Sequence, residues 1–379
     1  MSRFLLSLAF VPLPALAQTV AGVPAEDWLA MSDAEFAETF SDIALSGDIE
    51  LRSAVAWMLW ARLSQPRTYE GATIAEWETW PSNADTFEPD APPFDPATKV
   101  RAAPETGVTK AEQARGAFHT LPTEGGEERA RNMLSYGYIR EHTLYTKAGI
   151  GAYLAAGNAV DVPIGSIEVK ADWETCAVDG AYRWTPDPSD PATTFSLRGL
   201  HIMAKMALTP ADPFTSETPS WFWTTFELNS NEGLENVRSF ITYPDTWPAE
   251  EAAALLAAAG LEDGPFANYS PNGTQIRFAD ERNPSIVLGN SLMEDFAGLP
   301  LPPALGAAFD PATMDPLPPS QWTGFNSSCH TCHVTAAYQP EKDSFFDFLA
   351  QVGTGTLVPH MLDGYAAMDF IWSIPFNAK

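Results

Sequence analysis

FSLRGLHIMAKMAL, residues 195–208, is the stretch whose reading decides the fold. It is rich in branched and apolar side chains, and over residues 197–206 both alternating faces are largely apolar. A strand with two apolar faces is covered on both sides and sits centrally in its sheet. Two runs of the same kind, IGSIEVKADW (164–173) and SWFWTTFEL (220–228), lie on either side of it in the chain. All are bounded by Gly, Pro, Asp and Ser, and VRSFITYP (237–244) supplies a fourth. Together they predict an antiparallel sheet.

Outward from these strands the pattern turns helical. Ser32-Asp33-Ala34-Glu35 is a capping box, followed by Phe36, Phe40 and Ile43 at helical spacing. A second helix is expected over residues 48–63, with Leu51, Val55, Met58 and Leu59 on one stripe, and TIAEWETW (73–80) adds a short aromatic element. A third is expected over residues 127–145, and a fourth over EEAAALLAAA, bracketed by Pro248 and Gly260. SFFDFLAQV and YAAMDFIW near the C-terminus read as short amphipathic segments.

Proline-rich stretches at residues 81–104, 185–192 and 298–319 punctuate the chain; such density forbids helix interiors and central strands. The expected organisation is a signal peptide at 1–17, a helical N-terminal lobe and linker at 18–104, a mixed region with the β core at 105–297, and a C-terminal segment at 298–379. The fold class is α+β: an N-terminal helical lobe, an antiparallel β core and a C-terminal helical segment.

Arg3, the apolar residues 4–13 and the small-residue site Ala15-Leu16-Ala17 form a secretory signal, so the mature chain is expected in the periplasm. No later stretch approaches the twenty or so apolar residues of a membrane span. The formal charge of −28 argues against nucleic acid and anionic membrane surfaces and favours basic protein partners. A solvated acidic surface is the stronger reading of the same charge. The chain has three cysteines: Cys176, expected to be a buried thiol, and Cys329 and Cys332 within one five-residue motif.

That motif is Cys329-His330-Thr331-Cys332-His333. C-x-x-C-H attaches c-type haem. The two thiols form thioethers with the vinyl groups, and the adjacent histidine ligates iron as the proximal axial ligand. Attachment follows export, which agrees with the signal. The competing readings are a zinc site, a redox C-x-x-C and a structural disulfide. Zinc lacks an evident ligand set, and the redox motif lacks the expected βαβ context. His330 is expected at the surface or on the propionate side. There is no Gly-rich phosphate loop, G-x-S-x-G or H-E-x-x-H. The acidic loop DTFEPD lacks calcium-loop spacing.

The motif marks a c-type cytochrome, and the chain resembles exported bacterial "cytochrome c family" proteins with one C-terminal C-x-x-C-H. The matching stretches are GSIEVKADW (165–173), LRGLHIMAK (197–205), WFWTTFEL (221–228) and LGNSLMEDF (288–296). Where such proteins tend to carry a histidine after TFE, this chain has Leu228, so no role for that histidine transfers.

The second axial ligand separates a carrier from an enzyme. His201 and Met361 are the leading candidates, followed by Met368; the resemblance favours His201, since the GLHI pattern is shared. His360, Met203, Met206 and Met293 are further options. The expected function is a periplasmic monohaem c-type cytochrome that carries single electrons and meets a basic redox partner. The alternatives are a haem enzyme or peroxide- or gas-binding protein with an open sixth iron position, and a binding module in which haem is structural. Of these, an electron-transfer protein is favoured over an enzyme.

Overall fold

A computed structural model describes residues 19–69, 72–99, 104–106, 126–186, 194–209, 219–231, 234–239, 241–277, 286–293, 328–345 and 362–379. The expected signal peptide, His360 and Met361 lie outside these residues. The principal helices are α1 (Asp33–Ala44), α2 (Ile49–Leu63), α3 (Met133–Glu141), α4 (Leu234–Arg238), α5 (Ala249–Ala258) and α6 (Cys329–Val334). The main sheet comprises β1 (Glu105–Thr106), β2 (Gly126–Arg131), β3 (Ile167–Glu174), β4 (Arg183–Trp184), β5 (Phe195–Lys205), β6 (Trp221–Leu228) and β7 (Tyr269–Gln275). A smaller sheet follows: β8 (Ala337–Gln339), β9 (Ser344–Phe345) and β10 (Ala366–Ala367). The fold is α+β.

The main sheet runs β7-β6-β5-β3-β2-β1, with β4 also on β5, and every pairing is antiparallel. The run at 195–208 does hold the centre. Its alternation divides two apolar cores. Leu200, Ile202 and Ala204 face one side with Phe222 and Phe226 of β6, and there they meet the N-terminal helices and α5. Met203, Trp221 and Trp223 face the other side, where they meet Leu288, Cys329, Val334 and Phe370.

Local chemistry explains the helical layer. Ser32 Oγ accepts from the Glu35 N–H while Glu35 accepts from the Ser32 N–H, closing the capping box of α1. Asp48 caps α2 by accepting from Leu51 N–H at 3.1 Å. Every residue from Arg52 to Leu63 is buried, so α2 is enclosed rather than simply striped. Trp60 stacks on Phe226 of β6 with ring centroids 4.4 Å apart and planes 6° from parallel. Its Nε1 donates to the Phe266 carbonyl at 3.1 Å, so the indole is buried without losing its polar bond. The N-terminal helices therefore share a core with the sheet.

Two expected elements differ. Residues 127–131 are strand β2, and helix begins only at Met133, capped by Asn132. Alternation puts Glu127 opposite Asp172, Arg129 opposite Lys170, and Arg131 opposite Glu168; the last pair is an ion pair at 3.2 Å. The other two opposed pairs carry like charges, and Glu127 is neutralised diagonally by Lys170 at 2.6 Å and by Arg129 on its own strand. VRSFITYP is not a strand either: α4 ends at Arg238, and only Pro244 forms an isolated bridge. Val237 and Ile241, four apart, both bury in the second core, a helical period that a short apolar run does not reveal. The fourth helix begins after Pro248 and stops before Gly260, whose φ of +70° favours glycine. No helix among the described residues is long and apolar enough to cross a membrane.

Candidate haem-binding site

C-x-x-C-H forms α6, a short helix on the second face of the sheet. Its first N–H groups are bonded by neighbours rather than by a conventional cap. Cys329 N–H donates to the Leu288 carbonyl at 3.2 Å, and His330 N–H donates to Gln275 Oε1 at 3.0 Å. Gln275, fully buried at the end of β7, is the hub. It also accepts from Ser328 Oγ at 2.8 Å and donates to the Ile286 carbonyl at 2.9 Å. The helix is thus docked on the sheet edge and on the 286–293 loop at once.

At the other end of α6, His333 Nδ1 lies 2.7 Å from the Phe370 carbonyl. A carbonyl only accepts, so Nδ1 carries the proton and the ring's lone pair lies on Nε2. This is how a metal-binding histidine is oriented and its basicity raised. The surroundings are aromatic: Trp223 stands 6.3 Å from the His333 ring centroid, and Phe370 packs 5.5 Å from Trp223. Cys329 is buried in the same cluster, while the Cys332 side chain lies outside the described atoms. Helical spacing, an oriented imidazole and an apolar aromatic wall suit a covalently attached haem.

His330 does not lie at the surface. It is 5% exposed, edge-on to Trp223 at 4.6 Å and to Phe370 at 5.1 Å. Burial pushes its pKa down to about 3, with His333 acting in the same sense. Cys176 is likewise not buried but exposed. Leu228 faces the helical core, on the side of the sheet away from α6.

The distal candidates separate by strand register. His201, Met203 and Lys205 alternate along β5 and share the face of Trp223. His201 pairs with Thr225 and Lys170, one same-face position along from Met203, which pairs with Trp223. Met206 is buried in the opposite core, which removes it from the wall. Met368 is fully buried in the same apolar cluster as Cys329 and Phe370, with its N–H donating to the Ala336 carbonyl at 2.8 Å. Met293 comes close to Gly199, where a Cβ would meet its Cε at 3.2 Å and Asn290 at 2.6 Å. The missing side chain lets the 290–293 turn settle on the sheet.

Beyond His201 the same face becomes charged. Glu127 pairs with Lys170 at 2.6 Å and also with Arg129. Opposite it, burial and the charge of Glu127 push Asp172 from the usual 3.8 up to about 7. Trp223 and Phe370 fall within aromatic-rich runs already noted, but their role as a wall needed the register. Gln275, Lys205 and Asp369 carried no sequence signal, because each works through contacts far away in the chain. Searches of family models, of curated proteins and of solved structures find no match to this chain.

Proposed function

We propose that this protein is an exported monohaem c-type cytochrome that transfers single electrons in the periplasm. Cys329 and Cys332 anchor the porphyrin, and His333 ligates iron through Nε2. A haem held in this way supplies a one-electron iron couple whose potential depends on its axial ligands and burial. The observation that carries the reading is His333: its Nδ1 is bonded to Phe370, within a C-x-x-C-H helix packed on an aromatic wall. His201 is the preferred distal ligand because it shares that wall's face. The charge of −28 suits a basic redox partner.

One observation favours a second reading, a haem enzyme or a binder of peroxide or small gases. Asp172, with a pKa of about 7, lies on the same face as His201 and could exchange protons near neutral pH. The deciding experiment is the visible absorption spectrum, oxidised and reduced, of protein exported in a host that matures c-type haem. Low-spin bands in both states support the carrier. High-spin bands that shift with added peroxide or nitric oxide support the second reading. Absence of covalent haem refutes both.

A further inference from the structure

The Phe370 carbonyl that holds His333 belongs to an unusual turn. Asp369 has φ +48° and Phe370 φ +66°, two successive non-glycine residues in the left-handed region. Such backbone persists only where its surroundings over-determine it.

Asp369 supplies that constraint. Its carboxylate is fully buried and accepts from Val162 N–H at 2.7 Å, Trp221 Nε1 at 3.1 Å, Thr209 Oγ1 at 2.5 Å and Lys205 Nζ at 2.5 Å. Lys205, also fully buried, lies in the central strand β5 and bonds Asp161 as well. The donors come from β5 (Lys205), from β6 (Trp221), from Thr209 just after β5 and from Val162 ahead of β3, none from α6. The turn is therefore registered to the sheet and then presents its next carbonyl to the histidine.

A buried ion pair adds little stability over an apolar pair of similar shape, yet removing one partner leaves the other charge stranded. What the pair does supply is a fixed direction. We propose that the buried Lys205–Asp369 pair is the positioning device for His333, acting through the left-handed turn at Asp369 and Phe370. The inference rests on the haem reading for its functional meaning, while the geometry of the anchor belongs to the chain itself.

The test compares the full-length haem-loaded protein with Asp369→Asn, Lys205→Met and the double variant. Reduction potential and thermal unfolding are measured together. Weakening the carbonyl bond makes the imidazole a poorer donor, so Asp369→Asn should raise the potential. The double variant should recover the part of the thermal stability that Lys205→Met loses by leaving the buried Asp369 carboxylate without its cation, while the potential stays raised. A double variant with wild-type potential would mean that the pair is merely structural, and overturns the proposal. If Asp369→Asn fails to fold, Trp221→Phe removes a single donor and should shift the potential in the same direction by less; no shift overturns the proposal.

A parallel arm uses the full-length chain produced without haem and reads the His333 ring by nitrogen NMR. The wild type should hold its proton on Nδ1, and Asp369→Asn should give a mixture of tautomers. An unchanged tautomer overturns the anchor. Loss of covalent haem in the wild type would refute the proposed function and leave this arm to decide the positioning role.

Discussion

Glu227 and Ser291 are joined twice: Ser291 N–H donates to Glu227 Oε1 at 2.6 Å, and the Ser291 hydroxyl donates to the other carboxylate oxygen. Glu227 is fully buried on β6, and Asn272 of β7 donates to it at 2.6 Å. The same loop carries Leu288, whose carbonyl receives the first N–H of α6. A buried carboxylate near the end of β6 thereby holds the segment on which the C-x-x-C-H helix rests.

Glu227→Ala should cost about 2–4 kcal/mol, since it strands buried donors from Ser291 and Asn272. Urea unfolding measures the loss, and limited proteolysis should show faster cleavage near residues 286–293. A variant with wild-type stability and the same cleavage pattern would remove Glu227 from this role.

Substitutions in the motif should separate anchoring from ligation. Cys329→Ser and Cys332→Ser each leave one thioether, shifting the reduced haemochrome band to longer wavelength. His333→Ala should lose the proximal ligand and most covalently loaded protein. Mass spectrometry and the pyridine haemochrome spectrum read both effects. Covalent haem persisting without either cysteine would defeat the assignment.

His201→Ala should convert low-spin bands to high-spin bands, whereas Met203→Leu should leave them in place. Met203 is buried in the apolar cluster and serves to fill it. The reverse result would transfer the distal role to Met203, and unchanged spectra in both would direct attention to Met361.

Asp172 should make stability depend on pH. Its folded pKa of about 7 stands above the usual 3.8, so between these values the folded chain binds the proton more tightly than the unfolded chain. Stability therefore falls as pH rises from about 4 to about 7. Asp172→Asn should remove this slope and stabilise the protein by about 2 kcal/mol at pH 8, with little gain at pH 4. Thermal melts at those two pH values supply the check; an equal effect at both would refute it.

Much of the sheet was legible because strand signals are local. Residues 167–174, 195–205 and 221–228 are branched or aromatic, and their two-residue alternation needs no knowledge of partners. The capping box at Ser32 and the Pro248 and Gly260 brackets were legible for the same reason. Residues 127–131 were not, because Glu127 and Arg131 find their counter-charges, Lys170 and Glu168, on the neighbouring strand. Nor was the burial of His330, which depends on Trp223 and Phe370 arriving from separate parts of the chain.

By itself, the sequence determined the chemistry that α6 carries: two thiols three apart with an adjacent imidazole, a pattern set by covalent spacing alone. Only the tertiary structure decided how that chemistry is aimed. The Nδ1 proton of His333 is directed by Phe370, Phe370 is held by Asp369, and Asp369 is held by Lys205, 164 residues away. A hydrogen bond of this reach leaves no periodic trace in a sequence, because its partners are chosen by the packing of the sheet between them.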